Sequence, residues 1–111
     1  MSDKKRFVDI DNKTRNYINE RDIRCIICKS NYNLQIAHVF INRSHGGKGC
    51  KENLVLLCSK CHQIMDNPLG KKQNELSKKY MNYCKNYLVK KEKIENIAEL
   101  VKKIKYKRFL D

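Results

Sequence analysis

The apolar positions of this chain follow two different periods. In "DNKTRNYINERDIR", residues 11–24, a few apolar side chains stand among many polar ones. The pattern predicts a short helix, capped by Asp11 or Asn12, with Tyr17 and Ile18 toward the core. "NLQIAHVFI", residues 33–41, alternates in part and is rich in β-branched and aromatic residues. It predicts a strand through Leu34, Ile36 and His38. "NLVLL", residues 53–57, is short and wholly apolar after its first residue, as in a buried strand or turn. Between these two runs, "NRSHGGKGCKE" reads as a loop with three glycines. "SKCHQIMD" opens a helix, and Pro68 in "DNPLG" ends it.

After Pro68 the period becomes that of a helix. Leu76, Tyr80, Tyr83, Tyr87 and Leu88 recur at helical spacing, and so do Ile94, Ile97, Val101 and Ile104. This predicts two amphipathic helices joined near "KKEK", with stripes that serve as core or dimer surface. The whole reads as an α+β protein with no internal repeat. Its 111 residues suffice for one domain with a modest core. Residues 1–70, with an N-terminal helix, form a Cys/His-rich part. Residues 71–111 form a basic helical extension packed on the same domain.

Charge narrows the choice of partner. Lys and Arg number 25 and Asp and Glu 12, a formal net charge of +13. Residues 1–70 carry 12 basic and 7 acidic side chains, and residues 71–111 carry 13 and 5. Such an excess favours a polyanion, nucleic acid first of all. A solvated Lys-rich surface is the plainer account of the same numbers. No apolar run approaches the ~18 residues of a membrane span. The basic N-terminus lacks the apolar stretch of a secretory signal. A soluble protein in a reducing, cytoplasmic compartment is therefore expected, with no membrane partner.

In that compartment, cysteines point to metal before disulfides. Cys25-Ile26-Ile27-Cys28 and Cys58-Ser59-Lys60-Cys61 are two C-x2-C turns. Each aims two thiolates at one point, and together they offer four soft ligands suited to structural Zn2+. The 29 residues between them leave room for a hairpin. Cys50 and Cys84 lie outside the pairs and read as a loop thiol and a small apolar helix residue.

Between and around these cysteines run "ERDIRCIIC", "AHV", "RSHGG" and "ENLVLLCSKCH". In this order and spacing the sequence resembles the HNH nuclease family from about residue 12 to residue 68, most closely the small phage-type members with a four-cysteine zinc site. The resemblance implies a ββα-metal (His-Me finger) core around the zinc, with flanking helices. It also implies an endonuclease that hydrolyses the phosphodiester bonds of double-stranded DNA. His38 would be the general base, as suits an imidazole that titrates near neutrality. Asn53 would hold the loop, orient the histidine or ligate a catalytic cation, Mg2+ or another divalent ion. His62 would ligate that cation. Asp66, one helical turn later, shares its face and is a candidate second ligand, the plainer reading being a solvent-facing helix residue before Pro68. Arg43, Lys48 and Lys51 are the candidate DNA-binding residues, with Arg43 as a phosphate clamp. Gly46, Gly47 and Gly49 suggest a close approach to the DNA backbone.

One position departs from the family. Many members have an acidic residue or histidine before the base, where this chain has Ala37. That change keeps a rival open, a non-catalytic zinc-binding module that binds DNA. His45 is the nearest candidate substitute ligand, though a loop histidine there is ordinary. A third reading uses the tail helices to bind protein, as a dimer or with phage packaging or replication proteins. If the chain is phage-encoded, its compartment is the host cytoplasm.

Overall fold

The computed structural model describes residues 3–107. The fold is α+β, with seven helices and strands among the described residues. These are α1 (Asp3–Val8), α2 (Asn12–Asp22), β1 (Leu34–His38), β2 (Leu54–Cys58), α3 (Ser59–Asp66), α4 (Gly70–Lys91) and α5 (Ile97–Ile104). Single 3-10 turns at Arg43–His45 and Lys51–Asn53 punctuate the loop between the strands. Among the described residues, no helix is long and apolar enough to cross a membrane.

β1 and β2 pair antiparallel, from Leu34 opposite Cys58 to His38 opposite Leu54. Helices cover both faces of this hairpin, so every residue of β2 is buried. That explains why its sequence is a continuous apolar run rather than an alternation. On one face Ala37, Val55 and Leu57 pack with Cys61 and Met65 of α3 and with Cys84 and Leu88 of α4. On the other, Leu54 and Leu56 meet Ile18 of α2, with Leu34 and Ile36 alongside. α2 is capped as expected, by Asp11, whose carboxylate accepts from the Thr14 N–H at 2.7 Å.

Three expectations change here. Tyr17 does not face the core but is 40% exposed; its hydroxyl donates to Glu92 at 2.7 Å. Tyr83 is exposed too, and the buried positions of α4 are Cys84 and Leu88. α5 starts at Ile97, so Ile94 lies before it and packs on the core from the connecting segment. The tyrosines have polar work to do. Arg21 of α2 pairs with Asp22 beside it and with Glu92 after α4, the three side chains being 8%, 0% and 4% exposed. Asp22 also accepts from the Leu56 N–H at 2.9 Å and from the Tyr87 hydroxyl. Arg21 donates to the carbonyl of Leu54 at 2.6 Å. Buried charges of this kind are tolerable only when fully paired, and here their pairing fixes the α4 end to the hairpin.

The loop from residue 42 to 53 is held from both sides. Gly49 donates to the Phe7 carbonyl of α1, and Lys48 donates to the Ile104 carbonyl of α5. Tyr106 returns a bond to the Gly46 carbonyl, and Phe7 meets Tyr106 edge to face. Two of the loop glycines are required by this packing. A Cβ on Gly47 would stand 1.8 Å from the Ile41 carbonyl oxygen, and one on Gly49 2.3 Å from that of Asp9.

Candidate functional site

The four cysteines converge. The sulfurs of Cys25, Cys28, Cys58 and Cys61 all lie within 4.8 Å of one another. The first turn is pinned to the hairpin by the bond from Ile26 N–H to the Leu56 carbonyl, at 3.1 Å. The second comes from the junction of β2 and α3, where Cys58 Sγ accepts from the Cys61 N–H. Burial raises the Cys25 thiol, but backbone N–H groups of Cys28, Cys58 and Ile27 outweigh it and bring the group down to about 7. A thiolate poised in this way beside three more sulfurs fits a structural zinc site.

His38 stands at the end of β1 on the face opposite Ala37. Ala37 is wholly enclosed in the core, so it offers nothing to a cation. The His38 Nε2 lies 3.0 Å from the Val8 carbonyl oxygen. A carbonyl only accepts, so Nε2 carries the proton, and Nδ1 is the basic nitrogen of the neutral ring. Burial pushes the His38 pKa below its ordinary 6.5; the Val8 bond pulls the other way and Arg43 adds to the fall.

Asn53 ties the loop. Its Oδ1 accepts from the Phe40 N–H at 2.7 Å and the Ile41 N–H at 3.2 Å. Its Nδ2 donates to the carbonyls of Ile41 and Lys48. Both acceptor sites of the amide oxygen are thus taken, and the residue is wholly buried. The expected ligand role of Asn53 does not fit this placement, whereas loop-holding does.

His62 and Asp66 lie side by side on α3, with Nε2 and Oδ2 2.9 Å apart. The other ring nitrogen, Nδ1, is 2.7 Å from Oε1 of Gln35 on β1. Asp66 Oδ1 is buried without a partner. A buried, unpartnered carboxylate oxygen beside an imidazole nitrogen is a donor set for a divalent cation.

His38, His62 and Asp66 share one cleft of ≈ 290 Å³, which Asn53 does not line. Arg43 also lines it, but its guanidinium is paired with Asp9. Across from it stands Arg15 of α2, whose guanidinium has no hydrogen-bond or ion-pair partner among the described residues. Lys48 and Lys51 lie outside this cleft and line a separate hollow with Tyr17. Lys48 sits over the Phe7 ring, and Lys51 over the Tyr17 ring near Glu92. His45 is exposed in its 3-10 turn and lines neither. Gln35 and Arg15 are the site residues that sequence reasoning missed. A polar residue on an alternating strand and an arginine on a polar helix carry no spacing signal.

Residues 25–67 match the family model described as HNH endonuclease. That span contains both cysteine pairs, His38, Asn53, His62 and Asp66, so the resemblance carried by the motifs is matched over residues 25–67. No curated protein and no solved structure matches the chain.

Proposed function

We propose that this protein is a metal-dependent endonuclease that hydrolyses DNA phosphodiester bonds. The observation that carries the reading is the single cleft that holds His38, His62 and Asp66 inside the matched span. In this reading His38 Nδ1 takes the proton of a water as its oxygen attacks phosphorus, the P–O bond to the leaving sugar oxygen breaks, and that oxygen takes a proton from solvent water. The Val8 carbonyl keeps the other nitrogen protonated, so Nδ1 of this cleft-lining histidine is left as the base. His62 and Asp66 would hold Mg2+ or another divalent ion. Such an ion, when bound, offsets charge on the phosphate and the leaving oxygen. Arg15, and Arg43 once drawn from Asp9, would hold the substrate's phosphate oxygens. Asn53 acts through the loop and not on the cation. The four cysteines hold a structural zinc apart from the chemistry.

The basic surface, with Lys48, Lys51 and the lysines of α4 and α5, supports double-stranded DNA as substrate. We place the activity in the cytoplasm, that of the host if a phage encodes it, with packaging or replication proteins as candidate partners. Residues 1–70 would be the nuclease part and residues 71–111 a basic extension of the same domain.

Ala37 favours the second reading, a zinc-containing DNA-binding module without catalysis. One assay separates the two. Zinc-loaded protein should nick or linearise plasmid DNA when a divalent ion is added, and His38→Ala should stop this with zinc retained. DNA retardation in a gel without cleavage across several divalent ions establishes the binding module instead.

A further inference from the structure

We propose that Gln35 sets the tautomer of His62 and so makes its cation-binding lone pair. The inference rests on the proposed cation site and adds a residue to it. The Gln35 Oε1 is an amide oxygen 2.7 Å from His62 Nδ1, and it can only accept. The ring proton therefore belongs on Nδ1, which leaves the lone pair on Nε2. That lone pair faces Asp66 Oδ2 across 2.9 Å. Two acceptors at this distance need a proton or a cation between them. The second oxygen of Asp66, buried and unpartnered, favours the cation.

The neutral imidazole has an alternative. With its proton on Nε2, it would donate to Asp66, and the pair would satisfy itself and close the site. Gln35 and Asp66 thus compete for one proton, and Gln35 keeps it on the far nitrogen. Gln35 lies two residues before Ala37, hence on the same side of the strand. Ala37 faces the core cluster under α3 and offers no ligand. Gln35 reaches His62 from the strand edge instead, lining the hollow of ≈ 320 Å³ next to the cleft. It acts through the ligand and not on the cation itself, the usual way an outer partner fixes a metal-binding histidine.

The test uses the zinc-loaded full chain and Mn2+ as the probe. Wild type should bind one Mn2+ beyond the zinc, read by electron paramagnetic resonance. Gln35→Met keeps the length of the side chain and removes the acceptor. It should weaken Mn2+ binding by about 10-fold or more, in line with losses of outer-shell partners, while zinc content and circular dichroism stay unchanged. Gln35→Glu, which restores an acceptor, should restore binding. Before Mn2+ is added, at a pH above the ordinary histidine range, 15N shifts should show His62 Nδ1 protonated in wild type. In Gln35→Met the proton should move to Nε2. Equal Mn2+ affinity and an unchanged tautomer in Gln35→Met overturn the inference and leave the proposed function standing. No Mn2+ binding by wild type removes the cation site and the inference with it.

Discussion

The backbone carbonyl of Val8 and the ring of His38 are 3.0 Å apart, and this bond decides which nitrogen of the histidine is basic. A short charged helix at the N-terminal side thereby reaches into the cleft without placing a side chain there. The cost of the arrangement is burial of the imidazole, which disfavours its charged form.

The pH dependence follows from that burial. The base must be neutral to take a proton, and burial lowers its pKa from 6.5. At saturating divalent ion, cleavage should therefore persist as pH falls below 6.5 and decline only as it passes through the lowered value. Folding follows the same sign. The unfolded chain binds the proton more readily, so stability present above the ordinary histidine value falls as pH drops below it. Cleavage rates and urea midpoints measured across this range check both, and His38→Gln should flatten the stability trend.

The two metal sites should separate by mutation. Cys58→Ser removes one of four zinc ligands, where structural zinc contributes ~10–16 kcal/mol of apparent binding free energy. It should release zinc and unfold the hairpin, as should a strong chelator. His62→Ala alters a half-buried cleft residue and should keep zinc and the circular dichroism spectrum while cleavage is lost. Equal unfolding of both variants contradicts a separation of roles.

Asn53→Ala should destabilise the fold more than a surface change. It strands two backbone N–H groups and two carbonyls that the amide now satisfies. At about 1–3 kcal/mol for an unsatisfied buried group, partly relieved by water, a loss of roughly 3 kcal/mol is expected. Denaturant unfolding measures it, and Mn2+ affinity should change far less than in Asp66→Ala.

Arg15→Ala should weaken DNA binding more than Arg43→Ala at the same salt. Arg15 has no partner among the described residues, whereas Arg43 must first leave Asp9. Loss of one phosphate contact should reduce the slope of log affinity against log salt by about 1. A salt titration of binding to a short duplex, in a His38→Ala background to prevent cleavage, gives that slope for each variant.

Much of the architecture was legible because its signals are periodic or chemical. Paired cysteines announce their convergence through spacing, and β2 announces burial on both faces through its unbroken apolar run. Helix α1 was not legible. "DKKRFV" has one inward residue, Val8, and no period, so it takes its place through Gly49 and His38 rather than through propensity. Tyr17 misled for a related reason. Its ring covers charged side chains and its hydroxyl reaches Glu92, 75 positions away, a partner no local pattern reveals. The glycines of "RSHGGKGC" were legible as a tight loop, but not that Gly47 and Gly49 stand against carbonyls of this chain.

The clasp on that loop also bears on biosynthesis. Both cysteine pairs and the hairpin are encoded by residue 61, so the four-cysteine cluster can assemble before α4 and α5 are made. Ile104 and Tyr106, which secure Lys48 and Gly46, emerge much later. The segment carrying Arg43 therefore gains this second clasp only after residues 104–106 are made, although Phe7 and Asn53 can hold it earlier. A nascent chain would bring its four cysteines together before that clasp forms.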